Sequence, residues 1–284
     1  MRKFTVVLSL FLLSLSFACS QEEKNEVLVK VAYKPNSSYN STLKVESNST
    51  MNFEGADAMI EQMKSMGMEL PMVVDAVQTI EFTVDTESQT GDESYPVAIE
   101  YQKVSNEQKL SGKSMPGNPS PLEGMKVYGE IDQQGKMSMD SIGGSIDARM
   151  KQSILKAANS MMNSMEYPEK AVKIGESFTQ EIPVSIPIPG AGPISMQIVS
   201  EYTLDRIEGS KAYFNLKMNM DEIEADIDAI GNGEGTAVYD MDISQMSSMD
   251  SNMDMEMTIM TEQFTMTSKS KTSTKADIEL VSAD

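Results

Sequence analysis

Apolar and polar residues alternate with period two along most of this chain. That pattern limits the fold more than any other feature, because only a β-strand sends successive side chains to opposite faces. It runs through Glu26-Val27-Leu28-Val29-Lys30-Val31 and Thr79-Ile80-Glu81-Phe82-Thr83-Val84-Asp85. It returns in residues 97–101, 125–131 and 213–220. Gly, Asn, Asp and Ser punctuate the runs, as at Thr90-Gly91-Asp92 and Glu208-Gly209-Ser210, and strands joined by such turns pair antiparallel.

Two stretches follow a helical period instead. Residues 57–68 place Met59, Met63 and Met66 at i, i+4, i+7. Residues 145–165 place Ile146, Met150, Ile154, Ala158, Met161 and Met165 on one stripe, stopped by Tyr167-Pro168. The fold class expected is α+β, mainly β: curved antiparallel sheets with two amphipathic helices packed against them. An internal duplication is also suggested, since residues 80–85 and 94–100 parallel 198–205 and 212–216, and 124–131 parallels 235–243. The halves would be 27–167 and 168–284, or one continuous domain.

The segment Ile182-Pro183-Val184-Ser185-Ile186-Pro187-Ile188-Pro189-Gly190-Ala191-Gly192-Pro193 carries four prolines. Each removes a ladder donor, so it is expected as an edge strand running into an extended loop.

Residues 1–18, MRKFTVVLSLFLLSLSFA, join a basic start to an apolar run too short to span a bilayer as a helix, the form of an export signal. Cys19, the sole cysteine of the chain, follows at once. Leu15-Ser16-Phe17-Ala18-Cys19 resembles a lipobox, whose cysteine sulfur receives diacylglycerol, with Phe17 larger than the strict motif takes. Residues 19–26 are then a lipidated tether, and the acidic Ser20-Gln21-Glu22-Glu23-Lys24 resembles a surface-export signal of Bacteroidota lipoproteins. The resemblance implies an outer-membrane protein anchored by lipid, displayed on the cell surface, with the periplasmic face as the alternative.

A further likeness lies at Pro168-Glu169-Lys170-Ala171-Val172-Lys173-Ile174-Gly175-Glu176-Ser177-Phe178. With the Gly-Glu-Gly-Thr entry at residues 233–236, it resembles uncharacterised Bacteroidota lipoproteins grouped as a domain of unknown function. Those motifs are structural and imply no activity.

Loss of the signal removes two of the 23 basic residues and none of the 43 acidic ones, moving the formal net charge from −20 to −22. Such a surface repels nucleic acid and anionic headgroups. Histidine is absent and the one cysteine is assigned to lipid, which excludes Ser-His-Asp and Cys-His catalysis. Carboxylate pairs remain, yet the chain has no tryptophan on which a sugar could stack. No enzyme and no cofactor are expected.

Methionine, at 26 residues, is the unusual component. Residues 248–266, SMDSNMDMEMTIMTEQFTM, hold six, with Met253, Met255 and Met257 in strict alternation. Thioethers ligate Cu(I), but the acidic opposite face and Ile259 fit a half-buried strand. The apolar parity then shifts to Met260, Phe264 and Met266, which predicts a β-bulge near residues 260–262. A calcium loop counted from Asp226 fits at Asp228 and Gly231 but has Ile230 and Ala237 where ligands are needed.

The leading expectation is a noncatalytic lipoprotein that binds a hydrophobic or lipid-like ligand. Met59, Met63, Met150, Met161, Met253, Met255 and Met257 would line its cavity, because methionine suits varied apolar contacts. The alternatives are an envelope protein-interaction module using residues 186–193, and a Cu(I) or calcium binder.

Overall fold

The computed structural model describes residues 25–55, 57–65, 69–89, 94–116, 120–144, 146–164, 167–188, 192–222, 227–260 and 264–283. The elements are β1 (Glu26–Val27), β2 (Ser37–Glu54), α1 (Asp57–Ser65), β3 (Met72–Thr86), β4 (Tyr95–Leu110), β5 (Lys113–Ser114), β6 (Lys126–Ile131), β7 (Met137–Ile142) and α2 (Ala148–Ser164). They continue with β8 (Val172–Lys173), β9 (Ser177–Ile188), β10 (Gly192–Glu208), β11 (Lys211–Glu222), β12 (Ile227–Asp240), β13 (Gln245–Met260) and β14 (Thr265–Ala283).

Alternation along the chain becomes one twelve-stranded sheet, ordered β7-β6-β4-β3-β2-β14-β13-β12-β11-β10-β9, with β5 added beside β4. All its pairs are antiparallel. β1 and β8 form a separate two-stranded ribbon. In place of several curved sheets there is one open sheet, whose edges β7 and β9 are not bonded to each other. The two meanders with parallel sequences appear in the same order along it, β6-β4-β3 and then β12-β11-β10.

The strands are long; β2 has 18 residues and β14 has 19. At about 3.3 Å per residue such a strand runs roughly 60 Å, too far for one core to cover. Among the described residues three apolar clusters form instead. One gathers Val29, Phe178, Leu204 and Phe214, and a second gathers Tyr39, Val84, Val127 and Ile131. The third, Met196, Ala229, Met257, Ile259 and Met266, sits at the far end of the same strands on the same face. The other face carries cross-strand ion pairs between β13 and β14, Lys269–Glu256, Lys271–Asp254 and Lys275–Asp250. These are well exposed, so each adds little to stability.

The expected pair of packed helices reduces to one. α1 is a nine-residue excursion between β2 and β3. α2 starts where Asp147 Oδ1 accepts the amides of Arg149 and Met150 at 2.8 and 3.4 Å, an N-cap. It docks through Ile154, Leu155 and Ala158 onto the second cluster. Asn159 holds it to the edge strand: its Nδ2 donates to Met139 O and its Oδ1 accepts Met139 N, both at 2.8 Å. One side-chain amide thus satisfies a backbone pair that the edge would otherwise leave open.

Three local expectations are corrected. Residues 26–31 are not one strand: β1 ends at Val27, and residues 28–34 form an extended strap held by side chains. No bulge interrupts a long strand near residue 260; β13 ends at Met260 and β14 begins at Thr265, with Ile259 opposite Met266. The parity shift marks a chain reversal, and its residues 261–263 lie outside the described ones. The calcium motif counted from Asp226, already short of ligands at Ile230 and Ala237, falls in a strand: Ile227–Asp240 is β12, paired with β13 from Ile227 and with β11 from Gly231. The proline segment supplies β9, the edge strand expected, up to Ile188, but no extended loop follows: residues 189–191 are outside the described ones, and Gly192 and Pro193 already open β10, paired with Ile188 and Pro187.

Candidate functional site

The methionine stretch that looked most chemical is packed. Gly231, Gly233 and Gly235 share the inner face of β12. A Cβ on Gly231 would meet Met253 Cε at 2.7 Å and Met220 Cβ at 2.8 Å, and one on Gly233 would meet Met218 Cε at 2.6 Å. Methionines of β11 and β13 therefore lie across a glycine track and occupy the space that side chains of β12 would fill. Met257 is buried in the third cluster beside Ala229 and Ile259.

A hollow exists elsewhere. Between α2, the sheet and the strap lies a half-open cavity of about 530 Å³. Its floor is Phe82 and Val84 of β3, Ile99 and Tyr101 of β4, and Val127 of β6. Met137 and Met139 of β7 stand beside them, Ile154 and Ala158 come from α2, and Tyr167 follows the helix. Lys30, Val31 and Tyr33 of the strap form the remaining wall, with Gln134, Gly135 and Lys136 of the β6–β7 turn.

The strap is held by hydroxyls and amides reaching from the strands. Tyr239 Oη accepts Lys30 N at 3.3 Å and donates to Lys30 O at 2.9 Å. Gln245 Nε2 donates to Ala32 O at 3.1 Å, and Tyr95 Oη donates to Tyr33 O at 2.5 Å. Tyr39 Oη accepts Lys34 N at 2.9 Å. These bonds replace a sheet ladder, which explains why an alternating sequence leaves the sheet here. Tyr33 stacks edge-on against Tyr39 at 5.0 Å between ring centres. Burial pushes its phenol up to about 12, with Tyr167 and Tyr39 adding to the effect. Burial also raises the phenols of Tyr101 and Tyr167. All three stay neutral at physiological pH.

Four of the methionines expected in a cavity are placed elsewhere. Met150 lies on α2 with 43% exposure, Met253 and Met255 are half-buried over the middle of the sheet, and Met257 is buried; none lines this cavity. The side chains of Met59, Met63 and Met161, and Cys19 itself, lie outside the described residues. Nothing in the sequence alone marks the cavity's own methionines, Met137 and Met139, or its tyrosines. Their signal was only ordinary alternation in a short strand, and its assembly depends on a helix and strap distant in sequence. Among the described residues no helix is long and apolar enough to cross a membrane.

No family model and no curated protein matches the chain. Solved structures with some likeness include the translocator domain of autotransporter NalP from Neisseria meningitidis, at 7% identity over 85% of this chain and 88% of that one, with a TM-score of 0.19. Pseudomonas aeruginosa OpdQ aligns at 8% identity over 86% and 99%, TM-score 0.24, and OccK7 (OpdD) at 5% over 86% and 99%, TM-score 0.21. Scores this low carry no argument about fold or function.

Proposed function

We propose that the protein is a noncatalytic envelope lipoprotein, held at the outer membrane through acyl chains on Cys19, that binds an apolar molecule between α2, the strap and the sheet. One observation carries this reading. The cavity is lined mainly by Val, Ile, Met and aromatic side chains, whereas along β12 the methionines of β11 and β13 occupy the space over Gly231 and Gly233. Its volume falls within the roughly 300–1,000 Å³ usual for small-molecule sites. The membrane anchor and surface display rest on the sequence of residues 1–24 alone.

The test uses the mature chain with Cys19→Ala, so that no acyl chain of its own competes. N-phenyl-1-naphthylamine, a neutral probe, is expected to brighten on binding. Ala158→Phe, which fills the cavity from α2, should abolish that signal while circular dichroism stays unchanged. Equal fluorescence from both proteins would reject the cavity as the site.

The protein-interaction alternative has a weaker footing. β9 is an open edge, but Pro183 and Pro187 deprive it of donors for strand addition.

A further inference from the structure

The cavity's charge is at odds with that of the whole molecule. The chain carries 43 acidic and 23 basic side chains, yet among the described residues no Asp or Glu lines the cavity, and the charged ones that do are Lys30 and Lys136. The lysines approach from unrelated segments, the strap and the β6–β7 turn, which the structure brings together: a Cβ on Gly135 would lie 4.0 Å from Val31 O and from Ala32 Cβ. The turn is rigid. Asp132 Oδ1 accepts the amides of Gln134 and Lys136 at 2.9 and 2.8 Å, so that carboxylate is occupied in holding the loop. Among the described residues neither lysine has an ion-pair partner, whereas Lys44, Lys103, Lys126, Lys269, Lys271 and Lys275 do. Tyr33 lies on the same wall as Lys30, and its hydroxyl has no hydrogen-bond partner among the described residues. It is a donor lining the same cavity as the two lysines, its phenol kept neutral chiefly by burial.

We infer that the cavity takes a single-chain amphiphile with an anionic head, a long-chain carboxylate, with the tail among Phe82, Val84, Ile99 and Ile154 and the head between Lys30 and Lys136. The inference rests on the apolar-ligand reading above and adds the chemistry of the head. An apolar wall alone does not distinguish a fatty acid from a fatty alcohol. Two lysines and a phenol do, since a carboxylate accepts charged and neutral hydrogen bonds at once. A cationic head would meet repulsion at the same place.

The test compares hexadecanoate, hexadecanol and hexadecylamine as displacers of N-phenyl-1-naphthylamine from the mature Cys19→Ala chain. Hexadecanoate should compete best, and its advantage over the alcohol should shrink as salt rises, since screening acts on the charged head alone. Lys30→Ala with Lys136→Ala should weaken hexadecanoate about fivefold and leave the alcohol unchanged, the size expected of two exposed ion pairs. Both lysines are exposed, so folding should survive, and thermal unfolding checks it. Tyr33→Phe should weaken hexadecanoate similarly without altering the melting temperature by more than a degree or two. If all three compounds compete equally, or the lysine variants leave hexadecanoate unaffected, the head is not read and this inference falls while the apolar cavity stands. If the probe itself never binds, the underlying reading fails first.

Discussion

Two regions of one sheet face treat apolar side chains in opposite ways. Over β11–β13, methionines lie across Gly231 and Gly233 while Gly235 packs against Asp250 and Ser251 of β13, so that none of the three has room for a Cβ. At the β3–β7 end, branched and aromatic side chains stand up from the sheet, and α2 with the strap bridges them without filling the gap. A flexible side chain collapses into whatever space its neighbours vacate; stiff ones propped by a docked helix do not. Rigidity, more than hydrophobicity, separates filled from hollow, and that is why the most methionine-dense stretch is the wrong place to look for a cavity.

Substitutions can break the contrast. Gly235→Val should have the largest effect, because its Cβ would come within 2.4 Å of Asp250 O and 2.8 Å of Ser251 Cα, both backbone. A loss of about 3 kcal/mol, at the upper end of overpacking costs, is expected from urea unfolding. Ala158→Phe adds similar bulk at the hollow end and should cost less than about 1 kcal/mol; equal losses would erase the distinction.

Asn159→Ala removes the clamp that props α2 against β7 and leaves both polar groups of Met139 without it. The expected loss is about 1–3 kcal/mol, with faster amide exchange in α2 and β7 than in β11–β13. Uniform exchange would mean that the helix is not separately propped.

Alkali should separate stability into tyrosine contributions. The phenols of Tyr33 and Tyr202 are both pushed up to about 12 from an ordinary value of 10.0, chiefly by burial. A raised folded pKa leaves stability intact below pH 10 and drains it as pH climbs from 10 towards 12. Tyr33→Phe should flatten part of that decline, and an unchanged slope would place the Tyr33 ring in water.

The smallest effect expected is at Ser41, buried opposite Phe82 of the cavity floor, whose Oγ has no hydrogen-bond partner among the described residues. Ser41→Ala removes a desolvated hydroxyl and should raise stability by up to about 1 kcal/mol.

Strand positions were legible in the chain because period two is local. The runs at 79–85, 97–101 and 213–220 all fall inside β3, β4 and β11. The second helix stripe was legible for the same reason, with Asp147 capping it and Tyr167-Pro168 following it. Residues 28–34 misled because Val27 and Val29 do alternate inward, yet the strap's backbone bonds go to Tyr239, Ser244 and Gln245, more than 200 residues away, and to Tyr95 and Tyr39. The shift of parity near Met260 misled because a hairpin and a bulge leave the same local trace when the turn residues carry no Gly or Pro.

By itself the sequence determined that the chain is mainly antiparallel β with helical segments, two of which it presented as packed where the structure docks one, and that histidine chemistry is closed to it. Those are matters of periodicity and composition, which each segment carries alone. Tertiary structure decided that the strands join one open sheet and that the methionines fill a glycine track. It also decided that two lysines, one from the strap and one from the β6–β7 turn, line an apolar hollow in an acidic protein. Such facts belong to pairs of segments far apart in the chain, and no local period encodes which pairs will meet.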